Sequence, residues 1–179
     1  MFFKMRSAYS VAAISAVLTV AAVASAKYSA DAPKISVHAK GPAGMSIEGE
    51  SHTLKIDEDD KTVTFKTFLN TIDTKNSKRN EHLQDRFEAK KFSAITLSLP
   101  KDKVDSKKGG TVPGTLNFHG ISKSVSVKYE VSGKHIKASF GFDVMNHGIK
   151  EEDLCFEPKS KSICAKNHVD VDVEFDLKD

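Results

Sequence analysis

Apolar and polar residues alternate with period two along most of the chain. The pattern is clearest in the second half. Val125, Val127, Tyr129 and Val131 are separated by Ser126, Lys128 and Glu130. Ile136, Ala138, Phe140, Phe142 and Val144 continue the rhythm after Ser132-Gly133-Lys134. Val169, Val171, Val173, Phe175 and Leu177 close the chain, spaced by Asp170, Asp172, Glu174 and Asp176. Such alternation describes a strand with one apolar and one wet face, which is antiparallel geometry.

The first half repeats the signal more weakly. Val63, Phe65 and Thr67 form one candidate strand, and Ile95, Leu97 and Leu99 another that Pro100 ends. Leu116 and Phe118 follow the turn-rich stretch from Gly109 to Gly114. Shorter candidates are Ile35 to Val37, Met45 to Ile47 and Leu54 to Ile56, with a charged turn over Asp57 to Lys61. Between Ser77 and Lys91 the alternation stops and Leu83 and Phe87 stand four apart among good helix formers. That segment predicts one short amphipathic helix, its Leu83/Phe87 face toward the core and Asn76 or Ser77 as its cap. The expectation is a mainly β fold: about eight antiparallel strands in an extended barrel with one inserted helix. A sandwich buries strand faces in the same way, and the pattern alone does not separate the two.

Phe65, Leu97, Phe118, Phe140, Phe142, Val171 and Val173 all fall on the apolar parity of their strands. In a closed barrel they converge on one interior. Two readings are open: the side chains fill that interior themselves, or they line a space for an apolar ligand.

The N-terminus changes the picture of what the working molecule is. Lys4 and Arg6 precede an uncharged apolar run from Val11 to Val23, and Ala24-Ser25-Ala26 offers small residues at a cleavage site. This is the layout of a secretory signal peptide over residues 1–26, with cleavage expected between Ala26 and Lys27. The run is about 13 residues, short of the roughly 20 a membrane span needs. A periplasmic or secreted protein is therefore expected. Removing residues 1–26 takes away two bases and no acid, so 25 basic and 24 acidic residues remain. A near-neutral balance speaks against nucleic acid as a partner. Residues 27–179 show no internal repeat or linker and read as one domain.

The chemistry-bearing residues give no catalytic pattern. Nucleophile elbows, phosphate loops and paired carboxylates at a hydrolytic spacing are not found, and no cofactor is expected. The seven histidines, His38, His52, His82, His119, His135, His147 and His168, have no metal-ligand spacing and read as scattered surface or turn residues. No metal site is expected. Arg79 and His82 lie about one turn apart on the predicted helix, facing either a ligand's polar head group or solvent. Cys155 and Cys164 are the two cysteines. In an exported chain they are expected to form a disulfide pinning the connection before the last strand, the alternative being two free thiols.

Three segments carry a resemblance. The stretch from Ile72 to Leu83 holds Asp73-Thr74, Asn76 and Arg79-Asn80-Glu81-His82-Leu83. It resembles the Asp-Thr, Asn and Arg-Asp-x-His-Leu elements of the YceI family of secreted lipocalin-like proteins. Asn80 stands where that family usually has Asp, and Phe87 stands alone where a Phe pair is usual. Gly114 to Val125 is similar to the family's Gly-x-Leu-x-x-His-Gly-x-Thr/Ser-Lys-x-Val hairpin, and Ala138 to Ile149 follows in order. The resemblance covers roughly Ile56 to Leu177; the N-terminal part matches loosely. It implies an eight-stranded barrel over residues 27–179 that binds a long polyisoprenoid or similar amphiphile without catalysis, and peripheral or transient membrane contact is compatible with that role. It also singles out His82 and His119 as residues that hold the helix and hairpin in place. The competing reading is a non-catalytic interaction or structural module, with Asn146 to Lys166 as its contact surface.

Overall fold

The computed structural model describes residues 30–105, 107–155 and 164–177. The expected signal peptide lies outside them. Nine strands form one antiparallel sheet: β1 (Ala30–Lys40), β2 (Ser46–Ser51), β3 (Lys55–Glu58), β4 (Thr62–Phe68), β5 (Ala94–Pro100), β6 (Gly110–Phe118), β7 (Ile121–Ser132), β8 (His135–Asp143) and β9 (His168–Leu177). Among the described residues there is one α-helix, α1 (Ser77–Arg86), inserted between β4 and β5.

The order across the sheet is β2-β1-β9-β8-β7-β6-β5-β4-β3. Its two edge strands are neighbours in sequence, joined only by residues 52–54. Four Cα–Cα steps reach at most about 15 Å, so the sheet must curl until its edges approach each other. Phe65 on β4 and Phe175 on β9 stand five strands apart in the order, yet their ring centroids are 6.0 Å apart across the interior. The wall is thus a curled sheet with one seam, between β2 and β3. At that seam the Ile72–Thr74 segment lies against β2, where Glu50 and Asp73 exchange backbone hydrogen bonds of 2.9 and 2.8 Å.

Two departures from the sequence reading have local causes. The count is nine strands rather than about eight, because each weak N-terminal candidate is a separate strand. The turn-rich stretch from Gly110 is also strand, the first half of β6. Its ladder with β5 spans only residues 115–117, so Pro113 lies where β7 alone pairs with it and its missing N–H is tolerated. Gly114 faces inward, and a Cβ there would stand 2.7 Å from Leu99.

The helix agrees with its expected faces. Asn76 caps it, its side chain accepting from the Arg79 N–H at 3.1 Å. Leu83 and Phe87 pack against the core. The regular helix stops at Arg86, short of the expected Lys91, and turns carry the chain to β5.

The outer face of β9 carries His168, Asp170, Asp172, Glu174 and Asp176, and three of its carboxylates meet basic side chains of neighbouring strands. Lys137 reaches Glu174 at 3.2 Å, His135 reaches Asp176 at 2.8 Å and His38 reaches Asp172 at 3.4 Å. His168 Nδ1 is 2.7 Å from Asp143, and the pKa of its ring is raised, first by that hydrogen bond and then by the charges of Asp170 and Asp143. A histidine raised in the folded state adds stability below its ordinary value near 6.5 and loses it as pH climbs through the raised value. The ring is 57% exposed, so the contribution is screened and small. Asp143→Asn is expected to bring the His168 pKa, followed by NMR titration, back toward the ordinary value; an unchanged titration would remove Asp143 as the cause.

Candidate functional site

The inner faces of the strands enclose a cavity of about 1070 Å³, at the upper end of the roughly 300–1,000 Å³ usual for small-molecule sites. All seven residues picked from strand parity line it: Phe65, Leu97, Phe118, Phe140, Phe142, Val171 and Val173. Their exposure differs along the lining. Phe65, Phe140, Phe142 and Val173 line the cavity and remain half-buried, whereas Leu97, Phe118 and Val171 are buried. Leu116, Val63 and Val127 do pack, at 1 to 2% exposure. On β9 the lining runs from Val169 to Leu177, about 27 Å of strand at ~3.4 Å per residue. The interior is therefore long, apolar and incompletely filled.

Sequence reasoning missed part of the lining. Ile35, Val37 and Ile47 lie on β1 and β2, whose alternation is short. Their place in the wall comes from the pairing of β1 with β9, where Ile35 stands opposite Val173 and Val37 opposite Val171. Thr67 lines the cavity on the same face of β4 as Phe65. The Val63, Phe65, Thr67 alternation already placed it there.

Helix α1 flanks one end of the cavity. Phe87 meets Phe118 edge to face at 5.5 Å, fixing the helix to β6. Arg79 and His82 both contribute to the lining. His82 is exposed, while Arg79 is half-buried, with Nη2 donating to the Thr74 carbonyl at 2.8 Å and Nε lacking a hydrogen-bond partner. Asn80 organises the turn before the helix. Its Oδ1 accepts from the Thr74 N–H at 2.9 Å and the Thr74 hydroxyl at 2.6 Å, and its Nδ2 donates to Asp73 at 2.9 Å. That bond, with one from the Lys75 N–H, holds the Asp73 carboxyl below its usual range. A second carboxylate in place of Asn80 would face Asp73 as a like charge; the amide donates to it instead.

The connection between β8 and β9 lies beside the helix. Cys155 and Cys164 are joined in a disulfide. Arg86 donates from Nη1 to the carbonyls of Glu152 (3.1 Å), Asp153 (3.3 Å) and Cys155 (3.0 Å), tying the end of α1 to the disulfide segment. Asp153, Leu154, Cys155 and Ala165 also border the cavity. Closing a loop of about ten residues is worth about 2.5–3 kcal/mol in the chain-entropy model. Replacing both cysteines by serine is expected to cost that much in urea unfolding; a loss below about 1 kcal/mol would show that Arg86 holds the segment without the bridge.

Two histidines are structural. His119 places Nε2 at 2.9 Å from Glu88 and Nδ1 at 3.2 Å from the His147 carbonyl, while its ring lies 4.2 Å from that of Phe92. It thereby joins the β6–β7 hairpin to the segment after α1. His119 and Gly120 both have positive φ, the two-residue turn that suits a hairpin. His147 corrects the reading of the histidines as surface or turn residues. It is 1% exposed, with Nδ1 at 2.8 Å from the Ile121 carbonyl and its ring edge-on to Phe142 and Phe118. Its surroundings come from other strands, so spacing along the chain carried no sign of them.

The family model of the YceI-like domain matches residues 15–178. The chain belongs to the YceI-like family. Solved structures share the YceI-like fold at low identity. A polyisoprenoid binding domain from Saccharophagus degradans, implicated in plant cell wall breakdown, is 16% identical with a TM-score of 0.68, over 84% of this chain and 96% of that one. Burkholderia cenocepacia BcnA is 17% identical with a TM-score of 0.60, over 82% and 98%. The Campylobacter jejuni YceI protein is 21% identical with a TM-score of 0.50, over 71% and 81%. A search of curated proteins found no significant match. At this distance the neighbours establish the fold, and the YceI-like cavity has to be read from its own residues.

Proposed function

We propose that this YceI-like protein is a non-catalytic, exported carrier that encloses one long apolar chain, isoprenoid or similar, inside its curled sheet. The observation that carries the reading is an apolar interior of about 1070 Å³ onto which Phe65, Phe140, Phe142 and Val173 remain half-buried. Burying each methylene of a guest contributes about 0.8 kcal/mol, so a chain of several isoprene units outweighs the cost of ordering it. Phe65, Leu97, Phe118, Phe140, Phe142, Val171 and Val173 would contact that chain. Arg79 and His82 stand at the helix end for a polar head. The Saccharophagus domain, a polyisoprenoid binding domain, supports the same reading. So does the disulfide, which fits an oxidising compartment such as the periplasm. In this role the protein would touch membranes only transiently.

Mass spectrometry of organic extracts from natively purified protein tests the proposal. A stoichiometric long-chain lipid is expected. An empty cavity that also takes up no added polyprenyl lipid would favour an interaction module that uses the fold as a scaffold.

A further inference from the structure

Among the described residues, three large apolar side chains stand exposed: Met45 at 61%, Met145 at 44% and Ile121 at 38%. All three lie on one rim of the sheet, linked along it by hydrogen bonds. The Gly41 N–H donates to the Met45 carbonyl at 2.7 Å, and the Lys166 N–H to the Lys40 carbonyl at 2.7 Å. The Met145 N–H donates to Asn167 Oδ1 at 2.8 Å, and two residues on His147 Nδ1 lies 2.8 Å from the Ile121 carbonyl.

The cavity opens on the same rim. Most of its lining residues that remain exposed stand here: Met45 and Ser46 at the β1–β2 turn, Lys78, Glu81 and His82 on α1, and Lys166 before β9. Asp105 is exposed at the opposite end. Met45 therefore belongs both to the exposed apolar set and to the mouth. The turn that carries it, Gly41-Pro42-Ala43-Gly44-Met45, has no polar side chain. Exposed turns are ordinarily polar. Those at the opposite end are, with Asp59-Asp60-Lys61 after β3, Lys101-Asp102-Lys103 after β5 and Lys134 after β7.

Size and charge narrow what covers this rim. Three side chains and one turn are little against the ~800 Å² per partner that a stable protein interface buries. They suit shallow insertion into the headgroup boundary of a bilayer, where apolar residues sit among lysines. Lys40 and Lys166 adjoin the turn and Lys78 lines the same mouth, all three exposed. We propose that this rim is a docking face for a phospholipid bilayer and that the guest crosses with the mouth held against the membrane. This rests on the carriage of a long apolar chain, whose insolubility in water requires a hand-over outside bulk solvent. It adds which end of the molecule performs that hand-over.

Flotation of lipid-free protein with vesicles reads docking. Uptake of all-trans nonaprenol, from vesicles or from cyclodextrin, reads loading. Ala43→Asp and Met145→Glu each add one negative charge to the rim at a residue outside the cavity lining. Ala43 has a φ of 55°, which Asp tolerates. Each variant is expected to lower flotation with phosphatidylglycerol-containing vesicles, and uptake from them, by about tenfold, because a charge is held out of the apolar boundary. Uptake from cyclodextrin should stay at the parental rate. Ser132→Glu, the same charge change at the opposite end, should match the parent in every assay. Lys40→Gln should cost about fivefold on vesicles with phosphatidylglycerol and nothing on pure phosphatidylcholine. Parental flotation by both rim variants, an equal loss in Ser132→Glu, or a parent that floats with neither vesicle overturns the docking face and leaves carriage standing. Uptake slowed equally from both donors would place the effect in the cavity and overturn it too. A parent that refuses nonaprenol from either donor removes carriage, and the flotation series then decides the docking face separately.

Discussion

Ala138→Phe is expected to abolish lipid uptake while the sheet stays folded. Ala138 lies midway along β8, opposite Tyr129 on β7 and Val173 on β9, and its methyl faces the cavity. A phenyl ring there grows into open space, so the strain that usually follows overpacking of a filled core is avoided. The same ring occupies the volume a guest would need. Affinity for a polyprenyl probe should fall by at least about tenfold, with an unchanged circular-dichroism spectrum. Lys137→Phe is the control: it adds the same bulk one residue away on the outer face, where Lys137 is exposed and pairs with Glu174. Equal uptake by Ala138→Phe and the parent would place the guest outside the sheet.

The largest stability effect is expected at Phe118. It is 3% exposed and sits among Phe87, Phe142 and His147, with ring centroids 5.4 to 5.7 Å away. Phe118→Ala removes the surface on which the α1 region docks and leaves a void among rings that cannot collapse. The loss in urea unfolding should be about 3–5 kcal/mol. Ile121, 38% exposed at the other side of the hairpin, is the comparison: Ile121→Ala should cost well under half of that. Hydrogen exchange in Ser77–Arg86 should also speed up in Phe118→Ala. A loss near 1 kcal/mol with unchanged exchange would mean that the Asn76 cap and the Arg86 contacts suffice to hold the helix.

Much of this architecture is legible in the chain. The alternation in β7, β8 and β9 names every inward residue of those strands, because a half-buried antiparallel strand leaves the solvent side no choice but polar. The Leu83/Phe87 spacing identifies the docking face of α1 for a similar reason. Pro113 and Gly114 hid the start of β6, since both residues usually mark turns and only the short β5 ladder lets them sit in a strand. The cavity itself is not legible. A side chain that packs across a core and one that faces a void produce the same alternation, and the difference lies in how far the opposite wall is. His147 was hidden for a related reason: Phe118 and Phe142 shield it from 29 and 5 residues away, in directions no periodicity encodes. The expected cleavage after Ala26 rests on the N-terminal pattern alone.

The pairing of β1 with β9 sets Ala30 opposite Leu177, so the first and last strands are neighbours in the wall. Every other ladder joins segments near in sequence and can zip as soon as both strands exist. This one spans the whole domain and carries the highest loop-closure cost. Until residues 168–177 are available, β1 and β8 each present an open edge and the inner face of the sheet is bare to water. A nascent or truncated chain would thus be sticky along eight strands and unable to retain a guest. Any guest of the proposed carrier would have to load after β9 has formed: the container is closed by residues 168–177.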